Sequence, residues 1–194
     1  AADAEERYKE INALALTASG NVGNGKAKIE LETFVQMSLF DRILRRANKR
    51  LEIMSGGQYD LKRCEAGAAG SRSQSGLELD VIDHYNGSVR SVRSLSGGES
   101  FLASLSLAIG LSDEIQTHAG GIRLDTMFID EGFGSLDQDT LDQAMNAMQG
   151  LTEGGERLIG IISHVTELKS RIGRQIIVSK EKEKGSHTRI QTED

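Results

Sequence analysis

The chain has 194 residues, 38% hydrophobic and 27% charged, with a formal net charge of -6 at pH 7. That length suits one domain, or a domain with a short extension, and the composition supports a packed core and excludes default disorder. No apolar run approaches the roughly 18 residues of a membrane span. A lone cysteine, Cys64, excludes a disulfide framework and a cysteine-rich zinc site.

No signal peptide is visible, and the composition suits a reducing cytoplasm. Proline and tryptophan are absent, and the chain opens Ala-Ala-Asp-Ala-Glu-Glu-Arg without an initiator Met. This reads as a piece of a longer protein that starts partway along a helix. The acidic balance argues against a wholesale nucleic-acid coat but leaves room for a local basic patch.

Residues 1–18 read as helix, with Ala4, Tyr8, Ile11 and Ala15 on a narrow seam that suits a coiled-coil stump. Residues 19–27 read as a junction loop. An amphipathic helix is expected over about 32–54. Phe40, Ile43, Leu44, Ala47, Leu51 and Met54 form its apolar stripe; Arg42, Arg45, Arg46, Lys49 and Arg50 form a basic face. That face is either merely solvated or a contact for DNA phosphates.

A short strand follows at 58–63, then a Gly/Ser/Ala-rich loop at 65–76. The alternation of Leu77, Leu79, Val81 and Asp83, then Asn86-Gly87, then 89–93 predicts a hairpin with a type I′ turn. A long helix opens after Ser96-Gly97-Gly98-Glu99. Residues 124–130 and 158–163 read as buried strands, 137–150 and 166–171 as helices, and 175–180 and 187–191 as closing strands. Strand and helix alternating in this half predict an α/β fold with a parallel sheet and flanking helices.

Three stretches carry chemistry. The first is the strand ending in Asp130-Glu131. Ligands of parallel sheets bind at the carboxyl ends of strands. Asp130 there suits Mg²⁺, and Glu131 suits activation of a water for attack on a phosphoryl group. The plain alternative is a strand that ends in two solvated acids. The second is Leu95-Ser96-Gly97-Gly98-Glu99, a capping box whose glycines also let backbone N–H groups approach an anion at a helix N-terminus. The third is His164, which follows a strand and is placed to contact a γ-phosphate; a lone histidine is more often structural. Their order, with Ser135-Leu136-Asp137 between the strand-end acids and His164, is that of ATP-binding-cassette proteins.

Residues 28–194 resemble the C-terminal lobe of the ATPase head of SbcC-type proteins, in the SbcC/SMC-like group of DNA-repair ATPases. The resemblance rests on Met54-Ser55-Gly56-Gly57-Gln58-Tyr59-Asp60-Leu61, LSGGESFLASLSLAIGLSDEIQ (95–116), LDTMFIDEGFGSLD (124–137) and IISHVTELKSRIG (161–173). It implies the C-terminal lobe of an ABC-type P-loop ATPase head. The lobe would complete itself with an N-terminal lobe of the same protein, which carries the phosphate-binding loop across a coiled coil with a zinc hook. It also implies ATP and Mg²⁺ as cofactors, head dimerisation, DNA as a partner, and regulation of the nuclease SbcD in the processing of double-strand breaks and hairpin ends. By the same resemblance Ser96, Gly97, Gly98 and Glu99 lie in the signature loop that contacts ATP on the opposite head. Asp130 matches the acid that supports Mg²⁺, Glu131 the catalytic base, Asp137 the interface acid, and His164 the switch histidine. An SMC-type tethering ATPase without a nuclease is the alternative.

Two stretches imitate motifs. Gly20-x-x-x-x-Gly25-Lys26 has phosphate-loop spacing, but Ala27 stands where Ser or Thr is needed, and a helix end precedes it instead of a strand. Ser55-Gly56-Gly57-Gln58 copies a transporter-style signature, but a strand follows it, so it reads as a helix C-cap. The chain alone is therefore expected neither to bind ATP tightly nor to hydrolyse it.

Overall fold

The structure, a computed structural model, describes residues 2–20, 29–64, 77–118, 123–152, 157–181 and 185–192. The Gly-Ser-Ala stretch at 65–76 and most of the phosphate-loop imitation at 20–27 lie outside these residues.

Helix α1 (Ala2–Ala18) precedes α2 (Leu31–Met54). The α2 stripe is buried at Ile43, Leu44, Ala47, Leu51 and Met54, as its period predicts, with Met37 added. The helix stops where glycine permits it. Gly56 and Gly57 take φ of 60° and 80°, and the Gly57 amide returns to the Glu52 carbonyl at 2.7 Å. This is a Schellman-like C-cap, which resolves the Ser55-Gly56-Gly57-Gln58 stretch as a turn.

Strands β1 (Tyr59–Arg63), β2 (Leu79–Asp83) and β3 (Ser88–Ser91) form an antiparallel sheet in that order. Asn48 of α2 locks β1 in place: its side chain donates to the Leu61 carbonyl and accepts from the Leu61 amide, both at 2.9 Å. The predicted hairpin forms, but its turn differs. Asp83 pairs with Ser88, so four residues make the loop, and of these Gly87 alone has positive φ. Bonds from the loop to Asp83 stabilise this longer turn: its carboxylate accepts from the Tyr85 amide at 3.0 Å and from the Asn86 side-chain amide at 3.1 Å.

Helix α3 (Gly97–His118) packs along α2 so closely that a Cβ on Gly110 would lie 2.8 Å from the Ala47 nitrogen and 2.9 Å from the Ile43 carbonyl oxygen. The basic face of α2 finds its partners here. Glu114 of α3 is buried; its carboxylate lies 2.7 Å from Arg42 Nε as an ion contact and accepts a hydrogen bond from Arg46 Nε at 2.8 Å. Arg50 stands 3.8 Å from Asp113, which also pairs with Arg157 at 2.5 Å. Burial pulls the Glu114 carboxyl upward, but the bonds from Arg46 and Arg42 and the charge of His118 outweigh it and hold it below the ordinary carboxylate value. Arg45 and Lys49 remain exposed. Of the face read as solvated or DNA-binding, Arg42, Arg46 and Arg50 are thus paired with α3 while still partly exposed.

Strand β4 (Thr126–Asp130), helix α4 (Gln138–Thr152) and strand β5 (Leu158–Ile162) form a βαβ unit in which β4 and β5 pair in parallel, Asp130 opposite Ile162. A short α5 (Thr166–Lys169) leads to β6 (Arg174–Glu181) and β7 (Gly185–Thr192), an antiparallel pair. The fold is α/β, and among the described residues parallel pairing is confined to β4 and β5. The apolar runs of these two strands predict burial on both faces, and the structure buries only one. Met127, Ile129, Ile159 and Ile161 pack on the core that α2, α3 and α4 enclose. The other face is open: Phe128 is 72% exposed, Leu158 65% and Ile162 55%. Ile176, Val178 and Ile190 of the last hairpin are likewise exposed. The seam of α1 is also uncovered, with Tyr8 67% exposed.

Candidate nucleotide-facing site

The start of α3 is a complete capping box. The Ser96 amide donates to Glu99 Oε2 at 2.7 Å, and the Glu99 amide donates to the Ser96 hydroxyl at 3.3 Å. The two glycines at this start serve close approach. A Cβ on Gly97 would stand 3.4 Å from Ser135 Cβ, and one on Gly98 would stand 3.3 Å from the Ser135 carbonyl oxygen. The signature-like loop therefore lies against the turn that follows β4. Asp137, the expected interface acid, caps α4 by accepting the Thr140 amide at 2.8 Å. That bond lowers the Asp137 carboxyl below its ordinary value. Capping alone accounts for this residue's placement.

At the end of β4 the two acids part. Asp130 alternates with Phe128's neighbour Ile129 and so shares the open face of the strand with Phe128; it makes no hydrogen bond or ion pair among the described residues. Glu131 turns the chain with φ of 58°, a left-handed conformation that costs a non-glycine residue about 1 kcal/mol or more. Two contacts hold it there. Its amide donates to the Ile162 carbonyl at 2.8 Å, and its carboxylate Oε2 meets His164 Nδ1 at 2.9 Å. His164 itself is 82% exposed. The next residue, Gly132, has φ of 99°, and a Cβ there would fall 2.4 Å from the Phe101 ring of α3. Phe101 also meets Phe133 edge to face at 4.8 Å.

The structure thus sets Gly97 and Gly98 against Ser135 and pairs Glu131 with His164, with Asp130 on the open face of β4. No group of three or more potential metal-ligating side chains occurs among the described residues. Asp130 nonetheless fits Mg²⁺, because that ion takes one or two carboxylates and completes its shell from phosphate and water. Tyr59 and Arg90 touch Glu99 from the small sheet, and no sequence pattern marks either of them for this place. The aromatic just after the Gly56-Gly57 cap is the single hint of a buried hydroxyl.

A family profile described as SbcC/RAD50-like, Walker B motif, matches residues 68–150. The chain is 53% identical over 174 residues to the SbcC component of the nuclease SbcCD of Vibrio cholerae, covering 90% of this chain and 17% of that protein. The chain spans about a sixth of that relative's length. By fold it is similar to a chain from a structural study of ATP-driven dimerization and DNA-stimulated activation of SMC ATPases. The TM-score is 0.60 at 17% identity, covering 82% of this chain and 89% of that one. The Smc head domain of Pyrococcus furiosus, bound to the C-terminal domain of ScpA, matches with a TM-score of 0.57 at 16% identity, covering 83% and 37%. At these identities the likeness speaks for the fold alone. Taken with the strand-end acids and the signature-like loop, the sequence matches show that the chain belongs to the SbcC/RAD50-like family and corresponds to the C-terminal ATPase region of its members.

Proposed function

We propose that this chain is one half of an ATP-driven head that works on DNA ends. Residues 1–18 are the end of a coiled-coil helix, 19–27 a junction, and 28–194 the C-terminal lobe. The observation that carries this is the open face of the β4–β5 pair. Asp130 shares that face with Phe128, Leu158 and Ile162, so whatever covers the apolar part must also meet Asp130. Parallel strands are stable when covered on both sides, and an N-terminal lobe bringing the phosphate-binding loop is the cover that fits.

In the completed head, Mg²⁺ would supply charge neutralisation on the phosphates, with Asp130 holding its shell. Glu131 takes a proton from the attacking water, and His164 fixes the carboxylate that does so. The Ser96 hydroxyl and the amides at the start of α3 meet the γ-phosphate on a second, identical head, where the helix N-terminus favours anionic charge. The head then pairs on ATP and parts on hydrolysis. Its partners are a second head, DNA and the nuclease SbcD, and its place is the cytoplasm, near the nucleoid. Among the described residues no helix is long and apolar enough to cross a membrane.

Titration calorimetry with MgATP tests this reading, first on the chain alone, then after the N-terminal lobe is added. Binding only after addition supports the split head. Binding by the chain alone, lost in Lys26→Ala, would refute it. The SMC-like fold favours one second reading, a DNA-tethering head without a nuclease. Copurification of a metal-dependent nuclease decides between the two.

A further inference from the structure

The loop from Leu95 to Gly98 is tied to the small antiparallel sheet at both flanks. Upstream, Arg90 of β3 donates from Nη1 to the Ser94 carbonyl at 2.9 Å and to the Ser94 hydroxyl at 2.8 Å. That hydroxyl donates onward to the Ser91 carbonyl at 2.6 Å. Downstream, the Tyr59 hydroxyl of β1 donates to Glu99 Oε1 at 2.5 Å, while Glu99 Oε2 accepts the Ser96 amide. Arg90 closes the arrangement, with Nη2 3.9 Å from Glu99 Oε2 and the guanidinium stacked 5.8 Å from the Tyr59 ring centroid.

A capping box needs only Ser96 and Glu99. Neither Tyr59 nor Arg90 adds to it as a cap, yet both converge on it from a different sheet. Tyr59 is buried within the main core cluster, so its hydroxyl is a fixed point. A glutamate held by one fixed donor and one loop amide loses the rotamer freedom that would let the loop drift.

We propose that Tyr59 and Arg90 are positioning residues: they aim the Ser96–Gly98 amides by clamping both ends of that loop onto the β1–β3 sheet. This rests on the reading of the loop as the part that meets nucleotide on a second head. The small sheet thereby has a task beyond filling one side of the core. It serves as the anvil against which the nucleotide-facing loop is set. Glu99 acts through both of its oxygens, one toward the sheet and one toward the loop.

The test uses the full-length protein. In Tyr59→Phe the ring stays and one charge-assisted bond is lost, so the ATP concentration for half-maximal turnover should rise roughly tenfold with the maximal rate held within about twofold. Amide hydrogen exchange over residues 95–98, measured without nucleotide, should accelerate by a similar factor. Arg90→Ala should act in the same direction. Glu99→Ala should behave like Tyr59→Phe or worse. A purely structural role would lower stability in these variants without the selective shift in ATP dependence.

The clamp is overturned if Tyr59→Phe leaves exchange over residues 95–98 at the wild-type rate, whereas faster exchange with unchanged ATP dependence would sink the reading of the loop. Absence of ATP-dependent pairing in the wild-type protein would likewise sink the reading of the loop. The exchange rates, which need no nucleotide, tell the two failures apart.

Discussion

His164 Nδ1 stands 2.9 Å from Glu131 Oε2, so a residue just past one parallel strand restrains the carboxylate just past the other. With the ring nitrogen donating, the carboxylate is held as an acceptor. Glu131→Gln in the reassembled head should lower hydrolysis by roughly 10²- to 10⁴-fold and leave ATP-dependent pairing intact. Phosphate release and sizing chromatography read the two effects. Normal turnover in that variant would remove Glu131 from the role of base. His164→Ala should cost less, since the Glu131 amide remains bonded to the Ile162 carbonyl.

Gly132 joins two constraints, a φ of 99° and the Phe101 ring against its Cα. Gly132→Ala should destabilise the protein by about 2–4 kcal/mol in denaturant unfolding. In a Phe101→Ala background the clash disappears but the backbone strain stays, so the added cost of Gly132→Ala should shrink to about 1 kcal/mol. Equal costs in both backgrounds would mean that the ring does not confine Gly132.

Glu114 should contribute to acid sensitivity. Its folded carboxyl lies below the ordinary 4.5. A lowered carboxyl contributes stability that is complete above the unfolded value and disappears as pH falls through the folded value. Glu99 is lowered too, because the bonds from Tyr59 and Ser96 outweigh its burial, and adds to the loss in the same direction. Urea unfolding followed from neutral pH downward should therefore weaken below about 4.5. Glu114→Gln should flatten that loss. It should also cost about 1–3 kcal/mol at neutral pH, the lower part of the range for breaking such a cluster, because Arg42 and Arg46 can rehydrate.

At the alkaline end Tyr59 contributes. Burial and the neighbouring Glu99 push its phenol from 10.0 up to about 12. The neutral phenol is the favoured folded form, so its stabilisation is full below 10 and is lost as pH rises toward 12. Tyr59→Phe should remove that alkaline limb of the stability profile. An unchanged limb would place the titration elsewhere.

Any DNA contact from α2 must use the cations that α3 leaves free. Arg45→Ala with Lys49→Ala should weaken DNA binding by the full-length protein and reduce the log–log salt slope by roughly 2. Arg46→Glu should instead destabilise the fold, since Arg46 serves Glu114 and Thr117. Unchanged affinity in the double variant would confine the basic face to its internal role.

What is legible in the sequence is local. The capping box at Ser96, the C-cap at Gly56-Gly57 and the strand ending in Asp130-Glu131 each span a few residues, and each forms as its spacing predicts. The turn at Asn86-Gly87 shows the limit, because Asp83 reaches into the loop and lengthens it. The seam between α2 and α3 joins residues 68 apart, Arg46 and Glu114, and no periodicity within α2 reveals it. Tyr59 and Glu99 are 40 apart and meet because β1 and α3 both pack against α2. The open face of β4 and β5 is hidden for another reason. An apolar run reads the same whether its second cover belongs to this lobe or to another.

That open face has a practical consequence for anyone handling the chain in isolation. Phe128, Leu158, Ile162, Ile176, Val178 and Ile190 present greasy strand surface to solvent, and exposed strands of this kind template pairing with their neighbours. Expressed alone, the chain should be sticky, and light scattering should climb with concentration until detergent shields the sheet. Coexpression with a covering lobe, or charged gatekeepers at Phe128 and Ile176, should return it to solution. The same residues that wait for a partner are those that make the waiting hazardous.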